Sequence, residues 1–456
     1  MDNLQKNTIS MALSGGSQVD SFDIFKSLVG PRGHVRGGPP PEARQHVKKT
    51  LLQKFALEGA TAESSDRVVR AMADFVTLVG RLGLLQVYGN DFVRRICHVT
   101  FGSDPRFLLL CPSPPVRRIL ILGERGAGKE RIAKSIGLTL SALSGKSDAF
   151  HPLNAAALPQ ELLESTLFGY VPGAFTDARR EGREGVLVIA HGGGTVFLDE
   201  IADASAAVQA KLLRAVQYGE FSKLGAEEQE PMRSQFHLIA ATNVTDSVLR
   251  TGHRIRPDLY DRLAAPAIQV PPLRELMVNE ERARKILDWV VEDVINELAA
   301  RDVAGGVQGE LGGRRTPKRG VSASTASMDS FVAWATNRLT GMIREIANRM
   351  QKYPWPGNLR EAAQVVRQVL YLGTEGLDEV CEEMLRQGEQ RRPSGQSGDR
   401  DGLPLKEQIA ALEKTLYADA VAQSHTVEQV AQRLGVTRQT ASRALRKYGL
   451  RVDRTR

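Results

Sequence analysis

The sequence is short of the features that mark a secreted, metal-stapled or membrane-bound protein. Its 456 residues hold three cysteines, Cys97, Cys111 and Cys381. They are scattered and match no metal-ligand spacing, which speaks against a disulfide framework and points to a reducing cytoplasm. The eight histidines do not cluster either, so no structural metal is expected. No apolar run is long enough to span a bilayer, so no membrane partner is expected. The N-terminus, Met1-Asp2-Asn3-Leu4-Gln5-Lys6-Asn7, is polar and has no signal-peptide core. A cytoplasmic location follows from these absences.

What is present is ample apolar content, 42%, enough for two to four packed units, and a net charge of +8 that is unevenly placed. From Ser424 to the end, eight Lys/Arg face only Glu428 and Asp453. That is the footprint of a module that binds a polyanion.

The stretch that organises the chain lies nearer the middle. Ile119-Leu120-Ile121-Leu122 reads as a buried strand, and Arg131 to Ile136 has helical spacing. Between them Gly123, Glu124, Arg125, Gly126, Ala127, Gly128, Lys129 and Glu130 form the phosphate-binding loop pattern GxxxxGK. Glycines there let backbone N–H groups converge on phosphate oxygens, the helix N-terminus adds unpaired donors, and Lys129 adds a point charge. Further on, Thr195 to Glu200 is an apolar strand ending in Asp-Glu. A parallel neighbour of the loop strand would carry both carboxylates to the same sheet edge. Asp199 suits Mg²⁺, a hard cation that takes oxygen ligands, and Glu200 suits polarising the water that attacks a γ-phosphate. A third strand, Phe236 to Asn243, ends in Thr242 and Asn243 at that edge, where Asn243 can report on the terminal phosphate. Arg254, Arg256 and Arg262 follow closely; such arginines serve either as surface ion pairs or as donors of charge to a neighbouring subunit's phosphoryl group.

These residues carry a family resemblance. GERGAGKE, ESTLFGYVPGAFTDA, GGGTVFLDEI, AKLLRAVQYGEF, AATN, IRPDLYDRL, VPPLRE and YPWPGNLRE occur in that order. The series resembles the AAA+ domain of bacterial enhancer-binding proteins, which activate the sigma-54 form of RNA polymerase. The match runs from about Tyr88 to about Leu385. The resemblance implies ATP and Mg²⁺ as ligands, with Gly123 to Glu130 as Walker A, and Asp199 and Glu200 as the metal-binding and catalytic residues of Walker B. It places Asn154 where the family holds its catalytic glutamate according to nucleotide state, Asn243 at the first sensor, Arg256 and Arg262 at the arginine fingers, and Arg360 at the second sensor on a helical lid. Glu130, where most phosphate loops carry Ser or Thr, is shared with the family. The sigma-54 contact loop corresponds to Gly173, Ala174, Phe175, Thr176, Asp177 and Ala178. Here the chain departs from the family's GAFTGA: Asp177 replaces a glycine, adding a Cβ and a charge to a loop that must flex and touch a partner.

Around this core the expected organisation is α/β for the ATPase, a parallel sheet flanked by helices with a helical lid, and all-α for the C-terminal domain. Residues 1–87 read as an N-terminal segment, without fixed structure to about residue 40 and then helical, with Val68, Val69, Met72, Phe75, Val76, Val79 and Leu82 on one helix face. The ATPase subdomain is expected over 88–273 and the lid over 274–386, interrupted near 303–327 by a glycine-rich basic loop. A linker over 387–403 leads to a Fis-like domain over 404–456. There Leu405, Ile409, Leu412 and Leu416 form an apolar stripe that either dimerises or packs within its own domain. Helix, glycine turn and a second helix opening on Thr437 form a helix-turn-helix pattern, with Arg438, Gln439, Thr440, Ser442 and Arg443 for base edges and Arg446, Lys447 and Arg451 for phosphates. The reading is a DNA-tethered ATPase, dimeric to hexameric in a ring, that remodels sigma-54 polymerase on double-stranded DNA. Two alternatives stay open: the same motor with another target, as Asp177 permits, and a repressor whose nucleotide only controls assembly.

Overall fold

The computed structural model describes residues 20–29, 38–55, 60–110, 116–146, 149–175, 180–226, 230–305, 353–391, 426–433 and 438–448, with isolated helical positions between 339 and 347 and at 417 and 421, and a turn at 350. Contact density divides the chain near Gly388 into a large first unit and a small second one.

The first unit is built on a parallel sheet of five strands: β1 (Arg118–Leu122), β2 (Phe150–Asn154), β3 (Thr195–Asp199), β4 (His237–Thr242) and β5 (Ala267–Gln269). Their order is β2-β3-β4-β1-β5. The register sets Leu122 opposite Thr242 and Asn154 opposite Asp199, so the carboxyl ends of β1 to β4 share one edge. A parallel strand in such a sheet is buried on both faces, which is why these segments read as apolar runs. Alternate residues divide between two cores. Ile119, Ile121, Phe197 and Ile239 face the Lys129–Leu143 helix, whereas Leu120, Leu122, Leu198 and Leu238 face the Ala206–Tyr218 helix.

The Lys129–Leu143 helix is itself sandwiched, because Ala62–Arg81 packs on its other side. Thr61 caps that long helix reciprocally with Ser64, and Val68, Val69, Met72, Phe75, Val76 and Val79 are buried as the periodicity predicts. The expectation of no fixed structure before about residue 40 is corrected at its centre. Ser21–Val29 is a helix, with Phe22, Ile24, Phe25 and Leu28 buried. The Ser21 N–H donates to Ser103 O at 3.0 Å, and Asp20 pairs with His98 at 2.6 Å. The Gly, Pro and Ser that dominate the flanks hid a short amphipathic run. Phe22, Phe25, Phe75 and Phe101 then form a chain of ring contacts at 5.4 to 5.8 Å.

The helix Glu280–Gly305 lies in the segment expected to form the lid, and Asn358–Arg391 extends about eight turns past Glu361. It carries helix into the expected linker as far as Arg391; the rest of the linker, the basic insertion beyond Gly305 and the Leu405–Leu416 stripe lie outside the described residues. In the second unit, Val427–Arg433 and Arg438–Tyr448 pack through Val430, Ala431, Ala441 and Leu445.

Because the N-terminal helices, the loop helix and the lid share one continuous core, damage at one end should be felt at the other. Phe25→Ala is expected to cost about 3–5 kcal/mol. Urea unfolding followed by tryptophan fluorescence, which reads Trp289, Trp334 and Trp355, all in the segment 274–386, should show the midpoint falling in a single transition. A separate early transition with the tryptophan signal unmoved would show the N-terminal helices to be a detachable module.

Candidate functional site

At the carboxyl edge of the sheet a cavity of about 440 Å³ is lined by Arg125, Gly126, Gly128, Lys129, Glu130, Asn154, Asp199, Glu200 and Arg360, and on its far wall by the lid helices. Sequence-predicted residues drawn from four segments thus meet in one place. Gly126 and Gly128 have φ of 73° and 89°, in the left-handed region that favours glycine. A Cβ at Gly126 would stand 2.2 Å from Gly357 O, and one at Gly128 2.3 Å from the Tyr88 hydroxyl.

Lys129 is 7% exposed, and its ammonium donates to Gly123 O at 2.9 Å and Glu124 O at 3.2 Å. Burial pulls its pKa below the ordinary lysine value, while the charges of Glu200, at 3.8 Å, and Asp199 oppose the shift. Burial likewise pushes the Asp199 carboxyl above the usual range, against the attraction of Lys129. Both groups are penalised as ions by burial, which is the condition that a bound anion with its cation relieves. Glu200 stands directly after β3 with φ of 51°, a left-handed turn that costs a non-glycine residue roughly 1 kcal/mol or more. The turn brings its Oε2 to 3.0 Å from the Asn243 N–H, which donates to it. Asn243 therefore reaches the site through its backbone. Asn154 lines the cavity, but its Oδ1 accepts from Ala156 N and Ala157 N at 2.9 and 3.2 Å instead of holding Glu200.

The expected arginines separate cleanly. Arg360 lines the cavity. Arg256 caps the Pro257–Leu263 helix and forms a bidentate pair with Asp258 at 2.8 and 3.1 Å; neither it nor the exposed Arg262 lines this cavity. In the expected contact loop, Phe175 is 43% exposed and stands edge-on to Tyr170 at 5.0 Å, and a Cβ at Gly173 would meet nothing within 4 Å. Thr176, Asp177 and Ala178 lie outside the described residues, as does Thr437. On the last helix Arg438, Gln439, Thr440, Arg443, Arg446 and Lys447 are exposed and Ser442 half-exposed, while Ala441 and Leu445 are buried on the opposite face. Arg438 pairs with Glu428 at 2.6 Å.

The residue that sequence reasoning passed over is Asn358. It is fully buried with φ of 53°. Its Nδ2 donates to Arg125 O at 3.0 Å and Glu124 Oε2 at 3.2 Å, and its Oδ1 accepts from Leu273 N at 2.7 Å. The next residue donates Leu359 N to Gly126 O at 3.0 Å. Glu124 is further engaged by Arg274 at 2.6 and 2.9 Å, which holds its carboxyl below the usual range. Glu124, expected at the nucleotide, thus ties the loop to the lid. From below, the buried Tyr88 hydroxyl donates to Ala127 O. The Pro-Gly-Asn turn signal was visible in the sequence, but its partner lies 234 residues away.

Residues 113–269 match the model of the sigma-54 interaction domain. The chain is 32% identical to the hydrogenase transcriptional regulatory protein HoxA of Bradyrhizobium diazoefficiens, over 99% of this chain and 84% of that one. This chain belongs to the sigma-54-dependent enhancer-binding regulators. Like other members of that family, it contains an AAA+ ATPase domain. It is also 36% identical to the Nif-specific regulatory protein of Klebsiella pneumoniae over 57% of this chain and 40% of that one. To the acetoin catabolism regulatory protein of Cupriavidus necator it is 29% identical, over 74% and 44%. The chain spans about half the length of several curated relatives, 51%, 44% and 57% of three of them. Among the described residues no helix is long and apolar enough to cross a membrane.

Two outcomes follow from this geometry. Asn358→Ala leaves Arg125 O and Leu273 N without their buried partner, costing about 1–3 kcal/mol in urea unfolding, and ADP affinity should fall with it. Unchanged ADP binding would make the contact structural only. For Asp199 the folded pKa is raised, so its contribution to stability is present at low pH and lost as pH rises through that value. Asp199→Asn, neutral at every pH, should therefore raise the melting temperature of the nucleotide-free protein at neutral pH. A lower melting temperature would contradict the burial penalty.

Proposed function

We propose that this regulator is a DNA-bound AAA+ ATPase that hydrolyses ATP to remodel sigma-54 RNA polymerase. The observation that carries the reading is the convergence of Lys129, Asp199, Glu200, Asn154 and Arg360 on one cavity beneath the lid. Lys129 and the glycine-loop N–H groups bind the phosphates. Asp199 would hold Mg²⁺, which supplies neutralising charge at the phosphate oxygens. Glu200 is fixed at one oxygen by the Asn243 N–H, leaving the other to orient and polarise the attacking water. Asn154 stands opposite Asp199, the residue before Glu200, and Asn243 bonds Glu200 through its N–H, so a change in nucleotide can alter the hold on Glu200. Arg360 couples the phosphates to the lid. Arg256 and Arg262, remote from their own cavity, act on the nucleotide of a neighbouring subunit in a ring, hexameric as in the family.

The exposed basic face of Arg438–Tyr448 enters the major groove, with Arg438, Gln439, Thr440, Ser442 and Arg443 at base edges and Arg446 and Lys447 on phosphates, while Thr437 would cap that helix. The Gly173–Ala178 loop, led by Phe175 and Thr176, presses on sigma-54. The alternative, the same motor with a different target, is favoured by one observation, the Asp177 charge in that loop.

Glu200→Gln should bind ATP with near-normal affinity and lose turnover by about 100-fold or more; appreciable turnover would remove Glu200 from its role. Mixing Arg256→Ala with Lys129→Ala subunits should restore part of the activity if the arginine acts in trans. For the target, pull-down with purified sigma-54 should give a complex only with ADP–aluminium fluoride, lost on Thr176→Ala. ATP turnover with no such complex would keep the motor and discard the partner.

A further inference from the structure

We propose a second anion site, at the opposite end of β1 from the phosphate loop, formed by Arg94, Arg95, His98 and Arg117 and suited to a small ligand carrying phosphate groups. These residues line a cavity of about 530 Å³ between the Asn90–Phe101 helix and the amino end of the sheet, with Ser103 and Asp91 at its margin. Its lining shares no residue with the nucleotide cavity. The length of β1 separates the two, roughly 17 Å for five residues at strand rise.

Three features favour a phosphate-bearing ligand. First, the charges come from two segments and converge. Arg94 and His98 lie one turn apart on the same helix face, and Arg117, the residue before β1, lines the same cavity and is held by its N–H donating to His237 Nδ1 at 2.9 Å. Second, the Arg94 guanidinium is pre-positioned but uncommitted. Arg94 lies over the Phe22 ring at 5.0 Å, and among the described residues neither Arg94 nor Arg95 makes a hydrogen bond or an ion pair. A planar fork of N–H donors held by stacking is the arrangement that takes phosphate bidentately. Third, Asp91 is the one carboxylate among the described lining residues, so positive charge is left over. Burial of Arg117, which lowers its pKa, adds a desolvated cation that an anion would stabilise. The volume falls within the range of small-molecule sites.

The site also touches a fastening of the N-terminal helices. His98 is bonded to Asp20 and Arg94 stacks on Phe22, both at the start of Ser21–Val29. A ligand drawing on Arg94 and His98 acts on the groups that dock that helix. It therefore stands where an effector could bias the first helix and, along β1, the phosphate loop.

The test is calorimetric titration of inorganic pyrophosphate into the full chain saturated with ADP, so that the nucleotide site is filled. Saturable binding is expected, retained in Lys129→Ala and weakened by about tenfold or more in Arg94→Gln/Arg95→Gln. Arg95→Gln alone, at an exposed side chain, should move in the same direction without loss of folding. No saturable heat, or equal affinity in the arginine variants, overturns the site. So does a double variant that loses affinity for duplex DNA with pyrophosphate binding unchanged, which would make these arginines a nucleic-acid contact. Failure to bind ADP would overturn the nucleotide reading alone, and comparison of wild type with the arginine variants would still decide this site.

Discussion

The contact on which the rest of this molecule depends is the seating of the Trp355–Arg360 turn upon the glycine loop. Gly126 has room for no side chain because the Gly357 carbonyl occupies that space, and Asn358 closes the contact with bonds to both the loop and the Leu273 segment. Trp355 and Asn358 both adopt left-handed backbone, at φ of 47° and 53°. Such strain costs roughly 1–3 kcal/mol per residue and persists only where surroundings over-determine it. Here a buried tryptophan, three bonds from one asparagine side chain and the Glu361 brace to Gly357 N at 2.8 Å do so. The result is that the lid cannot move without the loop that would hold phosphate.

A second constraint lies beneath the same loop. The Tyr88 hydroxyl on Ala127 O and the Ala62–Arg81 helix behind Lys129–Leu143 hold the phosphate-loop helix from the side away from the sheet. Arg131 adds a link to the lid, paired with Asp293 at 2.6 and 3.0 Å and lying 5.0 Å over Trp289. The nucleotide site is therefore a junction of three packed parts, the N-terminal helices, the sheet and the lid. The charges inside it are held at a cost: Lys129 and Asp199 are both disfavoured as ions by burial, with Glu200 on a strained turn between them. Sites that must bind a charged ligand commonly give up stability in this way.

Much of this was legible in the sequence because local chemistry forces it. An apolar run followed by glycines, a lysine and a helical period can do little else than form a strand, a tight turn and a helix, and the strand ends at Asp199 and Asn243 announced themselves by an abrupt change from apolar to polar. The buried face from Val68 to Val79 followed from period alone. The Ser21–Val29 helix was missed since its nine residues are too few for composition to register against their Gly- and Pro-rich flanks.

What the sequence determined by itself, then, was which residues carry charge and which strand ends present them. What only tertiary structure decided was who holds whom: Asn154 bonded to its own turn and not to Glu200, Glu124 engaged by Arg274 and Asn358, Tyr88 supporting the loop, and Arg94 stacked on Phe22. The physical reason is range. Periodicity and turn chemistry act over a few residues, whereas a hydrogen bond between positions 124 and 358 exists only after the core has packed and brought the loop and the lid together.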